Sequence, residues 1–194
     1  LREAREGSEA PLYSAVNPHW SPYAAHVAWN QTLSCLGAVN PQLADLPSLS
    51  PSGVMSADAP NEYEALGAPA QVGPWAVPTY EQDPGSVHLL QLESRDELAD
   101  TAARLAEVNA APEVSLASPV DFQNKPALTY NPNGRGTALI VRDSQGNNLG
   151  PEVAATFEYT IQVGHGLDTE NPTDVTSLIE AYKPSVVIVE FTQR

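Results

Sequence analysis

The sequence predicts an α/β domain built on a parallel sheet, and three features of its C-terminal third carry that expectation. Apolar runs at Thr137–Val141, Tyr159–Val163 and Val186–Phe191 alternate with two helix-like segments. Leu149, Val153 and Phe157 mark the face of the first segment, and the second runs from Val175 to Tyr182. Strand, helix, strand, helix, strand is the order of parallel crossovers, whose right hand sets the helices on the sheet faces. Val186–Val189 is unbroken apolar, the pattern of a strand covered on both sides. The three strands are therefore expected as parallel neighbours in one sheet.

The rest of the chain is read in order. Ser21 can cap a helix with Pro22 at the first helical position, where the missing N–H costs nothing. Ala25, Ala28, Trp29, Thr32, Leu33 and Leu36 continue that helix with one apolar face, ending near Gly37. Residues 37–86 hold eight prolines between Pro41 and Pro84 and keep no sustained period, so they read as an irregular excursion with a turn of helix at Glu62–Leu66. Tyr63, Trp75 and Tyr80 suit an excursion that packs rather than a free linker. A strand follows at Val87–Leu92, and Ser94-Arg95-Asp96-Glu97 forms a capping box for a helix reaching about Val108. The stretch to Gly136 reads as loop, with Asn131-Pro132-Asn133-Gly134 as a turn.

Composition narrows the function. With 194 residues the chain is long enough for one domain with a real core, and residues 1–194 are read as a single domain. The formal charge of −15 argues against nucleic-acid binding, and the nine basic residues form no patch for anionic lipid. An uncharged substrate such as a sugar hydroxyl or an acetyl ester fits better. Cys35 is the one cysteine, which excludes an intrachain disulfide and a cysteine zinc site. No run is long and apolar enough to insert in a membrane, and residues 1–10 do not read as a secretory leader.

Two places can carry chemistry. Asp143-Ser144 lies at the carboxyl end of the Thr137–Val141 strand and just before a helix, where α/β sheets bind ligands and free N–H groups face an anion. Ser144 there can be a nucleophile whose oxyanion is met by backbone donors of Ser144 and Gly146, with Asn147 alongside. The plainer alternative is that Asp143 and Ser144 only cap the helix, and spacing alone favours it. The second place is Asn17-Pro18-His19-Trp20, since histidine is the usual base for serine. A lone histidine before a helix is more often structural. His26, His88 and His165 have no metal-ligand spacing, and the Asn30-Gln31-Thr32 sequon falls inside the first helix.

Together the two places resemble the SGNH-hydrolase-like domain of the bacterial alginate O-acetyltransferase family, whose motifs occur in permuted order. Asn17-Pro18-His19-Trp20-Ser21 resembles its Asp-x-His-Trp motif, and Thr137 to Asn147 resembles its later strand with Arg-Asp-Ser-Phe-Gly. Tyr182-Lys183-Pro184 through Glu190-Phe191 is similar to the family's lysine-proline-strand-glutamate ending. The three blocks cover about a third of the chain. The resemblance implies Ser144 as nucleophile, His19 as base and Asn17 in the place of the aspartate that orients the histidine. It implies no metal and no cofactor.

Three departures matter. Asn17 can accept from His19 Nδ1 but cannot stabilise an imidazolium by charge, and it can select the wrong tautomer by donating. Gln145 stands where the family has phenylalanine. Only sixteen residues precede Asn17, fewer than the family domain has, so the chain is expected to be a portion of the domain or to be completed by another chain. The resemblance implies acetyl-ester transfer or hydrolysis on an extracytoplasmic polysaccharide, in the periplasm or at the cell surface, with a membrane acetyl-donor partner. The alternative is a catalytically degenerate domain serving as a structural or glycan-binding subunit of the cell envelope, which Asn17 favours.

Overall fold

The structure is a computed structural model that describes residues 10–117, 125–166 and 173–191. The reading of residues 1–10 thus falls, up to Glu9, outside the described residues. The chain divides into two compact units, Leu1–Asp45 with Leu49–Pro84, and Leu46–Ser48 with Gly85–Arg194.

In the first unit, β1 (Tyr13–Ser14) and β2 (Asn17–Trp20) form a small antiparallel hairpin. Helix α1 (Pro22–Val39) follows, capped as expected by Ser21, whose hydroxyl accepts from the Ala24 N–H at 3.2 Å. Ala24, Ala25 and Trp29 are its buried positions, so the apolar face does what its spacing requires. The excursion is less irregular than its prolines suggest. β3 (Gly53–Asp58) and β4 (Pro74–Thr79) pair antiparallel over six residues each, and the expected helical turn appears as a 3₁₀ turn at Glu64–Leu66. Pro74 and Pro78 are compatible with β4 because a two-stranded sheet has only edge strands, where a missing N–H can face outward.

In the second unit β5 (Ser86–Gln91), β6 (Glu113–Ser115), β7 (Ala127–Tyr130), β8 (Thr137–Arg142), β9 (Tyr159–Gly164) and β10 (Val186–Val189) form one sheet in the order β10-β8-β9-β7-β5-β6. The C-terminal strands are parallel as expected, with β8 paired to both β9 and β10. The sheet as a whole is not parallel: β7 runs antiparallel to β9 and to β5, and β5 antiparallel to β6. The fold is therefore mixed α/β, a correction to the parallel-sheet expectation. The reason lies in the connection from β7 to β8, six residues from Asn131 to Gly136, too short for the crossover that a parallel return needs. Asn131 fixes that connection by donating to the carbonyls of Ala154 and Ala155, both at 3.0 Å.

β10 also departs from expectation. It is an edge strand, and Val189 is 57% exposed despite the unbroken apolar run.

One core cluster of this unit lies on one sheet face, where Leu128, Leu139, Val141, Ile161 and Val163 meet Leu98, Val108 and Tyr182, and the alternate strand positions Ala138, Ile140, Thr160 and Gln162 are buried as well. Leu98, Val108 and Tyr182 come from the 3₁₀ turn Arg95–Ala99 with its capping box, from α2 (Thr101–Val108) and from α4 (Val175–Tyr182). The single helix expected over 94–108 is thus split at Asp100, whose carboxylate caps α2. α3 (Gly150–Thr156) precedes β9. Among the described residues no helix is long and apolar enough to cross a membrane.

Candidate active site

Each unit carries one group of candidate residues. In the first, Asn17 lies at the start of β2 and is buried to 3% exposure, and the β-strand alternation places His19 two residues on along the same face. The Asn17 side-chain oxygen accepts from the His19 backbone N–H at 2.8 Å and faces the ring Nδ1 at 3.0 Å. Its nitrogen donates to the Pro60 carbonyl at 2.8 Å and to the Glu62 carboxylate at 3.1 Å. Two oxygen acceptors on one end dictate which end is NH₂, so the other end is oxygen and His19 Nδ1 must carry its proton. The wrong-tautomer route open to an asparagine is thereby closed, and a neutral ring carries its proton on Nδ1 rather than on Nε2.

The loop that brings Glu62 is itself held in place. The Glu62 N–H donates to the Val16 carbonyl at 3.2 Å, and the Ala59 N–H donates to the Gly73 carbonyl at 2.9 Å. A Cβ on Gly73 would lie 2.8 Å from Val16 Cγ2 and closer still to Ser14 Oγ, so glycine is what lets this loop approach the hairpin. As a result Glu62 Oε1 stands 3.0 Å from His19 Nδ1.

In the second unit, Ser144 follows β8 after the single residue Asp143 and opens a 3₁₀ turn, Ser144–Leu149, that leads into α3. Capping falls to Asp143, whose carboxylate accepts from the Gln145 N–H at 2.8 Å. The Gly146 N–H donates to the Asp143 carbonyl at 3.2 Å. Arg142 is 2% exposed and donates to the Asp143 carbonyl at 3.0 Å and to Asn147 Oδ1 at 2.6 Å. Gly146 packs on the Arg142 stem so closely that a Cβ would sit 2.8 Å from Arg142 Cβ. Arg142 thus fixes the backbone around Ser144 from beneath, and by holding the Asn147 oxygen it leaves the Asn147 amide nitrogen as that side chain's donor. His26 and His88 are engaged locally, His26 with Asn30 and His88 with the Ala111 carbonyl and the Tyr130 ring.

Glu190 joins this second group. Its N–H donates to the Val141 carbonyl at 2.9 Å, which carries the chain past β10 alongside Asp143. Burial first, and then the negative charge of Asp143, push Glu190 from its ordinary 4.5 up to about 7, with Arg142 acting in the opposite sense. A carboxyl whose folded value is raised stabilises the fold fully below its unfolded value and loses that contribution as pH rises through its folded value. Stability is thus expected to fall between about pH 4.5 and 7 by on the order of 2 kcal/mol from this group, its partial exposure allowed for. Glu190→Gln should remove that slope. Urea denaturation of both proteins across the window checks it, and an unchanged slope in the variant contradicts it.

No protein-family model matches the chain, and no curated protein matches it. Solved structures do. A DHHW family protein from Eubacterium siraeum aligns at a TM-score of 0.57 and 14% identity, over 97% of this chain and 61% of that one. PatB1 of Bacillus cereus, solved with a sulfonyl adduct, aligns at 0.57 and 16% identity, over 98% of this chain and 64% of its own. The O-acetyltransferase domain of Pseudomonas putida AlgJ aligns at only 0.35, too low to equate folds. The chain spans less than two thirds of the length of the first two structures. At such identities the likeness is one of fold: this chain has the mixed α/β fold of the DHHW family protein and of PatB1.

Proposed function

We propose that this chain transfers or hydrolyses acetyl esters of an extracytoplasmic polysaccharide through an acetyl-Ser144 intermediate. The observation that carries the reading is the clamp on His19, which holds its proton on Nδ1 and leaves Nε2 to accept one. The setting of Ser144 supports it: the serine sits at a carboxyl strand end with the capping duty taken by Asp143. In this mechanism Ser144 Oγ attacks the acetyl carbonyl as its proton passes to His19 Nε2. The tetrahedral oxyanion is met by the Asn147 amide and by the Ser144 backbone N–H, since the Gly146 N–H is given to the Asp143 carbonyl. Collapse expels the donor oxygen, which takes the proton from His19. A sugar hydroxyl or water then attacks acetyl-Ser144, gives its proton to His19, and Ser144 leaves with it.

The fold of PatB1, solved with a sulfonyl adduct, and the acidic, uncharged-substrate composition support the same reading. The proposal treats the chain as part of one SGNH-like catalytic domain of the periplasm or cell surface, supplied with acetyl groups by a membrane donor. Incubation with an aryl acetate, with and without a neutral oligosaccharide, tests it. Acetate release, or acetylated sugar when the oligosaccharide is present, is the expected result. A folded protein that does neither overturns the reading in favour of a structural or glycan-binding subunit.

A further inference from the structure

We infer that Glu62 is the positioning carboxylate of His19, supplying the negative charge that Asn17 cannot. The inference rests on the proposed reaction and deepens it. Asn17 and Glu62 divide between them what one aspartate does in a serine triad. Asn17 sets the tautomer, because its oxygen is turned to Nδ1 by the two acceptors on its nitrogen. Glu62 brings the charge, with Oε1 at 3.0 Å from the same Nδ1. When His19 takes the Ser144 proton, the imidazolium forms against a carboxylate already in place.

Three features make this contact more than a passing surface pair. Glu62 is bound at two points, by its N–H to Val16 and by its carboxylate to the buried Asn17 amide. The His19 side chain is 14% exposed, which limits screening on the ring side of the contact, while the Glu62 side chain is 45% exposed. The loop backbone is bonded to the hairpin and to itself, with Asn61 donating to the Gln71 carbonyl at 3.2 Å and accepting from the Glu64 N–H at 3.2 Å. Position 62 is therefore fixed by its own segment and needs no movement to engage.

Glu62→Gln isolates the charge, since glutamine keeps a carbonyl acceptor of the same reach. Aryl-acetate kcat is expected to fall about 100-fold with KM little changed, less than the ~10⁴-fold seen when a triad loses both tautomer and charge. Adding Asn17→Asp to Glu62→Gln moves the carboxylate to the other holder and should restore most of the loss. The low-field proton resonance of His19 Nδ1–H should move upfield in Glu62→Gln, whether or not the chain turns over ester. A kcat within about threefold of the parent with an unmoved resonance would overturn the inference. Movement of the resonance in a protein without esterase activity would sustain the Glu62 contact and defeat only the proposed reaction.

Discussion

Replacing Ser144 by alanine is expected to cut acetyl-ester turnover by about 10⁴-fold or more while leaving the melting temperature nearly unchanged. The two halves of this expectation come from different residues. Turnover falls because no other nucleophile stands in the β8–α3 connection. Stability holds because Asp143, not Ser144, caps the turn. A serine serving only as a cap would give the reverse result, a loss of about 0.5–2 kcal/mol with no activity to lose. Asp143→Ala should show that capping loss, so the pair of variants separates the two roles. Thermal melts and aryl-acetate kinetics on both proteins suffice.

His19→Ala is expected to cost turnover by a similar factor, about 10⁴-fold, and the double variant with Ser144→Ala should be no slower than either single one. In the proposed reaction nucleophile and base act as a unit, so their losses should not add. The fold should tolerate the change at a cost of about 1 kcal/mol, the scale of one hydrogen bond. Alanine at position 19 still offers its backbone N–H to the Asn17 oxygen, and the Asn17 nitrogen keeps Pro60 and Glu62. The buried amide is not orphaned. Two independent, additive losses would show that Ser144 and His19 do not share a step.

Much of the fold was legible because local signals agreed with the tertiary result. Ser21 and Pro22 start α1, Ser94 and Glu97 form their box, and the apolar runs at β8, β9 and β10 become parallel strands. Where reading failed, the deciding interaction was long-range. β3 and β4 hide among prolines because each is only an edge, and edges tolerate the residues that betray a non-strand elsewhere. β7 is four residues long, and its direction is set by the short turn behind it rather than by its own pattern. The apolar run of β10 implied two covered faces, but the order of strands in a sheet, which puts it at the edge, is not written in any one strand.

The candidate residues divide in the same way. Asn17, His19 and Ser144 stood in recognisable local motifs. Glu62 did not: it reaches His19 from 43 residues away through the β3–β4 pairing and the close pass at Gly73, and no spacing rule links the two. An asparagine in place of an aspartate was the one available signal, since a triad short of charge invites a search for a carboxylate elsewhere. Glu190 was visible only as the end of a familiar strand, and its raised titration follows first from burial and then from Asp143 beside it.

Covalent trapping tests the central claim most directly. The protein is exposed to an aryl sulfonyl fluoride, digested, and its peptides are mapped by mass spectrometry. The account predicts one adduct on Ser144 in the parent protein, strongly slowed labelling in His19→Ala and none in Ser144→Ala. Labelling of Ser144 at equal rate with and without His19, or an adduct at another residue while Ser144 stays unmodified, would contradict it.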